Sequence, residues 1–284
     1  MKEYIWFNGQ MVLWSEANIH VMTHSLHYSG AVFEGMKSYS GKIFKLEEHI
    51  QRLLDSAMTM NMSLGFSKDE IIEASQELLL HNNLDNAYLR PLIWSGGQKL
   101  GLTAECDSNI MIVAKSSTGK MQNNLNLCVS PWRKAAPEAV PPQCKLSANY
   151  AMLKKSQHEA KQKGYDDALM LDYEGCVAEC TTTNIFFIKN EELFTPIADR
   201  FLNGITRQAV IEMALSRGMK VNECRISLQD IGNYDSCFLT GTAAEIRHVA
   251  SLSFDDIKIN FNKMKLVEMI QKEYAKLVGK NYGI

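Results

Sequence analysis

No apolar run in this 284-residue chain approaches the roughly 18 residues needed to span a bilayer. Met1-Lys2-Glu3-Tyr4 leads into a strand-like run with no apolar signal core. Both absences predict a soluble, cytosolic protein. An excess of one charge is missing too. The 30 lysines and arginines nearly balance the 32 aspartates and glutamates, so no global field exists for gripping nucleic acid or an anionic membrane. Proline (6) and glycine (17) are scarce, which excludes a collagen-like or disordered linker protein. The seven cysteines (Cys106, Cys128, Cys144, Cys176, Cys180, Cys224 and Cys237) are odd in number and scattered without a CxxC. That pattern predicts reduced thiols and no disulfide framework. The motifs GxGxxG, GxxxxGK[ST], HExxH and GxSxG are all absent, which argues against dinucleotide, P-loop, zincin and hydrolase chemistry. No metal site is predicted. His24-x-x-His27 has no third ligand nearby, and Cys176-x-x-x-Cys180 straddles a predicted turn with no second pair at finger spacing.

What is there has globular proportions, 46% hydrophobic and 22% charged, at a length that predicts one or two domains. Residues 4–13 read as a hairpin around Asn8-Gly9, and a second hairpin joins Gly35–Lys37 to Ile43-Phe44. Leu46, Ile50, Leu53, Leu54, Ala57 and Met58 share one helical face over 46–60, and Ser67 with Glu70 fits a capping box opening a helix over 68–82. Strands are expected at 88–94 and 109–114. The segment 115–126 is polar and without aromatics, and it is the best boundary in the chain, dividing a domain 1–120 from a domain 121–284. Beyond it the pattern predicts strands at 127–130, 167–172, 184–188, 192–195, 219–224 and 236–240. Helices are expected at 149–164, from near Thr206, and at 262–277. Hairpins early and mixed elements later predict an α+β fold.

Several constellations could hold an anion. Gly204-Ile205-Thr206-Arg207 opens a helix whose free N–H groups suit a phosphate, with Thr206 as cap or ligand. Thr240-Gly241-Thr242-Ala243-Ala244 is a small-residue turn that could point N–H groups at an anion or be forced by packing. Tyr88 and Arg90 share a strand face, either to hold a carboxylate or as half-exposed sheet surface. Arg52 beside two leucines reads as a snorkelling side chain, and Glu179 as an exposed turn carboxylate. Nothing in composition selects Lys145 among the lysines. These readings stop short of a reaction.

Taken together and in order, Trp6-Phe7-Asn8-Gly9, His24-x-x-His27-Tyr28, Val32-Phe33-Glu34-Gly35, Glu48-His49-x-x-Arg52-Leu53, Ala87-Tyr88-x-Arg90-Pro91, Lys145 with Asn149-Tyr150, Glu179 with Asn184-Ile185-Phe186, Gly204-Ile205-Thr206-Arg207 and Gly241-Thr242-Ala243-Ala244-Glu245 resemble the class IV aminotransferases. These are the pyridoxal-phosphate enzymes of fold type IV, and the nearest subgroup is the branched-chain amino acid aminotransferases. The resemblance implies a smaller N-terminal α/β domain and a larger C-terminal domain with a mixed, barrel-like sheet. It implies pyridoxal 5'-phosphate as cofactor and a homodimer with the active site near the domain junction. It also implies transamination between glutamate or 2-oxoglutarate and branched-chain L-amino acids or their 2-oxo acids. On the same fold, a D-amino acid aminotransferase or an aminodeoxychorismate lyase is the alternative.

The implied roles follow residue by residue. Lys145 would carry the cofactor as an imine and move protons at the substrate Cα. Glu179 would face the pyridine nitrogen, and Tyr150 the phenolate oxygen. Arg52, Ile205, Thr206 and Thr242 would hold the phosphate. Tyr88 with Thr242-Ala243 would receive the α-carboxylate, and Arg90, helped by Tyr28, the distal carboxylate of glutamate. Phe33, Gly35 and Lys37 occupy pocket-shaping positions. Two departures stand out. The 115–126 loop lacks the subgroup's covering aromatic residue, and Cys180-Thr181-Thr182-Thr183 replaces a small, glycine-containing stretch after the glutamate.

Overall fold

The computed structural model describes residues 3–97, 99–117 and 123–280. The chain forms two compact units, Met1–Gly119 with Cys144–Tyr150, and Lys120–Gln143 with Ala151–Ile284. A single cut at 120/121 would give Lys145 to the second unit, whereas its segment belongs to the first. The cut itself falls in 118–122, outside the described residues.

The first unit opens with β1 (Tyr4–Phe7) and β2 (Gln10–Leu13), joined as expected through Asn8 and Gly9, both at positive φ. A short helix α1 (His24–Tyr28), β3 (Ala31–Phe33), β4 (Met36–Tyr39) and β5 (Lys42–Ile43) follow. Next come α2 (Leu46–Thr59), α3 (Lys68–His81), β6 (Ala87–Ser95) and β7 (Ser108–Ser116). The Ser67–Glu70 capping box is present, with the Ser67 hydroxyl accepting from the Glu70 N–H and the Glu70 carboxylate accepting from the Ser67 N–H. Among the described residues the strands form one antiparallel sheet in the order β2-β1-β7-β6-β4-β5, with β3 also on β6. Leu53, Ile50, Ile71 and Leu78 bury the helices' apolar faces. The sequence pattern missed α1 and β3 because neither is long enough to show a period.

The second unit holds β8 (Leu125–Arg133), α4 (Tyr150–Gln162), β9 (Asp167–Leu171), β10 (Val177–Cys180), β11 (Asn184–Lys189) and β12 (Glu192–Pro196). These are followed by α5 (Ile205–Ser216), β13 (Val221–Cys224), β14 (Ser236–Gly241), β15 (Glu245–Phe254), β16 (Ile257–Asn260) and α6 (Lys265–Leu277). The sheet runs β10-β9-β8-β15-β14-β11-β12-β13, with β16 on β15. It is mixed: β8/β9, β8/β15 and β12/β13 are parallel and the other pairs antiparallel. Its apolar core gathers Leu127, Leu169, Ile185, Phe187, Leu239, Val249 and Phe261, all essentially buried. Each such side chain stabilises the unit by about 1.5–3 kcal/mol.

Three sequence expectations need correction here. The last helix starts at Lys265, three residues later than expected, and the stretch 245–260 before it, to which the sequence assigned no element, is two strands. Glu179 is no exposed turn residue. It lies on β10 and is buried, because the short run Val177–Cys180 pairs with β9. The α5 N-cap is Gly204, and Thr206 is the second helical residue, so its hydroxyl does not cap the helix. No described helix is long and apolar enough to cross a membrane.

Candidate active site

In the first unit, Lys145 is held by its main chain. Its N–H donates to Ser56 Oγ at 3.1 Å, and its carbonyl accepts from the Phe33 N–H at 3.1 Å. Leu146 bridges to Val32 on β3. These contacts tie the segment to the sheet edge and to α2, which aims the side chain. Lys145 Nζ donates to the Tyr150 hydroxyl at 2.9 Å and lies 5.2 Å from the Phe33 ring centroid. The Phe33 ring also packs edge-on to Tyr150 at 4.8 Å and carries the Arg90 guanidinium 4.5 Å over its face. Arg90 Nη2 donates to the Tyr88 hydroxyl at 2.8 Å. Its Nε is buried with no hydrogen-bond partner among the described residues. A buried cationic donor left in that state is costly unless a ligand meets it. Gly35 makes the arrangement fit, since a Cβ there would stand 2.2 Å from the Tyr88 hydroxyl oxygen. Lys37 is buried and lies over the Tyr39 ring. Tyr28 is held by contacts of its own. Its hydroxyl accepts from the Gly101 N–H at 2.9 Å and its ring packs on His24.

Arg52 is not a snorkelling surface residue. Its Nε and Nη2 donate to the two oxygens of Glu34 at 2.6 and 3.0 Å, and His49 Nδ1 donates to Glu34 Oε2 at 2.7 Å. Glu34 is fully buried at the end of β3. Burial alone would push its carboxyl up, but the Arg52 charge and the hydrogen bonds from His49 and Arg52 outweigh it and hold the group well below the usual carboxylate range. The clamp fixes the guanidinium plane of Arg52.

In the second unit, Glu179 is met by two donors. Lys134 Nζ lies 2.7 Å from Oε1 and Asn184 Nδ2 lies 3.1 Å from Oε2. The buried carboxylate is therefore paired, as a charge at that depth must be. Ile205 and Thr206 are buried in the first turn of α5, where amides have no intrahelical acceptor. Thr242, Ala243 and Ala244 turn β14 into β15, closed by the Gly241–Glu245 pair. The hydroxyls of Thr183 and Thr240 are buried without a hydrogen-bond partner among the described residues. Burial pushes the Cys180 thiol well up, which makes it a poor nucleophile beside Glu179. All seven cysteines are free, and no metal-binding cluster occurs among the described residues.

The sequence reading missed Lys134, quoted Asn184 without a function, and assigned no work to Glu34 or His49. Glu34 had a signal: a lone acid inside the apolar run Ala31–Met36 must be paired if that run is buried. Lys134 had none, because its partner lies 45 residues away.

Comparison with known proteins bears on the family and the fold. The family model for amino-transferase class IV matches residues 31–252. A relative from Rickettsia typhi (strain ATCC VR-144 / Wilmington), called probable branched-chain-amino-acid aminotransferase, is 49% identical over 97% of this chain and 96% of its own length. The branched-chain aminotransferase of Thermoproteus uzoniensis, solved with norvaline, superposes with a TM-score of 0.93 at 28% identity, covering 99% of this chain and 97% of that one. The T.th. branched-chain amino acid aminotransferase, complexed with N-(5'-phosphopyridoxyl)-L-glutamate, gives 0.93 at 30% identity, covering 99% and 96%. The architecture is the fold type IV arrangement implied by the sequence motifs. With the match spanning both the Lys145 cluster and the Glu179 cluster, the chain belongs to the class IV aminotransferases.

Proposed function

We propose that this enzyme is a pyridoxal-phosphate-dependent branched-chain-amino-acid aminotransferase. It passes the amino group between glutamate or 2-oxoglutarate and branched-chain L-amino acids or their 2-oxo acids. The observation that carries the reading is the Lys145 ammonium on the Tyr150 hydroxyl, packed against Phe33 with Arg90 on the same ring. The residues present suit the cofactor. A lysine amine sits beside a phenol, a paired carboxylate is available for a ring nitrogen, and the buried Thr183 and Thr240 hydroxyls and Arg90 Nε have no partner among the described residues. Branched-chain relatives support the substrate class, as does the phosphopyridoxyl-glutamate held by the T.th. enzyme.

Lys145 would carry the cofactor, Tyr150 would meet its phenolate oxygen, and Glu179 its ring nitrogen. Arg52, Ile205, Thr206 and Thr242 would hold its phosphate, using the clamped guanidinium and the α5 N-terminus. When bound, the cofactor accepts and returns the amino group and spreads the electron pair left at the substrate Cα. Lys145 Nζ takes the Cα proton and returns it on the other side of the transfer, and the Tyr150 hydroxyl holds that nitrogen in place. Tyr88 with the Thr242-Ala243 turn orients the α-carboxylate. Phe33 presents an apolar wall to a branched side chain, and Arg90, with Tyr28, recruits a γ-carboxylate. The seven free cysteines fit a cytoplasmic protein. The exposed apolar side chains Ile19, Val21, Leu26, Leu100 and Leu102 fit a homodimer.

A panel of L- and D-amino acids against 2-oxoglutarate tests this reading. Leucine, isoleucine and valine are expected to turn over with the cofactor, and activity on D-alanine alone would overturn it. Gly35→Ala is expected to raise KM for the amino acid about tenfold by displacing Tyr88 and its bond from Arg90, with a smaller change in kcat. Steady-state kinetics read both constants, and a parental KM would remove Tyr88 from carboxylate binding.

A further inference from the structure

Both ends of the proposed cofactor contacts in the second unit meet one side chain that has no assigned work. Asn184 opens β11 and is buried. Its Nδ2 donates to Glu179 Oε2 at 3.1 Å and to the Leu202 carbonyl at 3.0 Å, and its Oδ1 accepts from the Gly204 N–H at 3.1 Å. A carboxylate and a carbonyl both require a donor and an N–H requires an acceptor, so only one orientation of the amide satisfies all three. Gly204 is the N-cap of α5. A Cβ there would stand 2.2 Å from Asn184 Oδ1, so residue 204 must lack a side chain for the contact to exist. The main chain of Asn184 is fixed in turn by its register with Thr240 on β14, and Lys134 occupies the other oxygen of Glu179.

We propose that Asn184 is a positioning residue that locks the Glu179 carboxylate to the N-terminus of α5, so that the contact for the ring nitrogen and the contact for the phosphate are set as one unit. The inference rests on the cofactor reading above. Asparagine suits the task because its amide offers donors to one end and an acceptor to the other. Aspartate would turn an oxygen toward both Glu179 and the Leu202 carbonyl, and alanine would leave the Gly204 N–H without its acceptor.

The test titrates cofactor-free protein with pyridoxal 5'-phosphate and follows the visible band. Three quantities are read: the Kd, the pH at which the bound band shifts, and the cofactor-free melting temperature. Asn184→Ala is expected to raise the Kd roughly tenfold or more and to move the spectral transition upward by about one pH unit. The upward direction follows because a carboxylate that has lost a donor draws the ring proton toward itself, and the ring then withdraws fewer electrons. Gly204→Ala presses on the Oδ1 end of the amide, at 2.2 Å, and otherwise adds an ordinary contact with Arg207 Cβ at 3.8 Å. It is nonetheless expected to shift the spectral transition in the same direction. If Asn184→Ala does not fold, Asn184→Ser provides the same two readouts.

A structural role alone would lower the melting temperature and leave the spectral pH at its parental value. That result in either the Asn184 or the Gly204 variant would overturn the inference, as would a parental Kd in the Asn184 variant. A parent protein that develops no visible band would instead overturn the cofactor reading itself, and the inference with it.

Discussion

Lys145→Ala is expected to lower kcat/KM by roughly 10^4-fold or more, because it removes both the covalent attachment point and the base that moves the Cα proton. The fold should survive. The contacts that hold this segment, to Ser56 Oγ and from the Phe33 N–H, are made by the main chain and do not need the side chain. What disappears is the Nζ–Tyr150 bond and the packing on Phe33. Lys145→Arg separates charge from chemistry. It keeps a cation near Phe33 and Tyr150 but offers no amine to the cofactor, so it should be as inactive as the alanine variant. Borohydride reduction of the loaded parent followed by peptide mapping should place the label on Lys145. A label on another lysine, or a Lys145→Ala protein within tenfold of parental turnover, would defeat the assignment.

The second large effect concerns stability. Glu34→Ala is expected to cost about 3–5 kcal/mol of unfolding free energy in denaturant titrations, because it removes a buried carboxylate to which two largely buried groups donate. Arg52 would lose both its bonds to the carboxylate and His49 its acceptor. The magnitude exceeds that of an ordinary surface ion pair, which contributes about 0–1 kcal/mol. The same carboxylate predicts an acid limit to stability. Its folded-state pKa lies below its unfolded value, so its contribution is fully present above that value. It is lost as pH falls from about 4.5 toward the folded pKa. In Glu34→Gln the acid slope of stability should flatten over that range. Unchanged stability in Glu34→Ala would show that the Arg52 clamp does not hold the fold.

His248 adds to the acid limit by a different route. It is buried on β15 with Nδ1 on Asn124, and burial pushes its pKa down. The unfolded chain therefore takes up a proton first as pH drops through the ordinary histidine range, and folded-state stability declines there.

Legibility from sequence differed sharply between elements. The Asn8-Gly9 hairpin and the Ser67–Glu70 capping box were readable because each is decided by a few neighbouring residues whose local conformation admits one solution. The helix over 46–60 was readable from its 3.6 period, and the fold class from the order of short strands and helices. Strand β10 was not, since four residues carry no usable period and its pairing with β9 crosses the 172–176 turn. The same blindness turned Glu179 into an apparent surface acid and Arg52 into an apparent snorkelling side chain. Burial of a charge is a property of what folds over it.

By itself the sequence determined local conformation, the absence of one-signed charge, and, through motifs in a fixed order, the residue types available for chemistry. Tertiary structure alone decided which partners meet: Lys134 with Glu179 across 45 residues, Asn184 with Gly204 across 20, and Lys145 with Ser56 across 89. The physical reason is range. Capping and turn preferences act over a few bonds and are written in neighbouring letters. Desolvation and ion pairing depend on distances in space that only the packed chain defines.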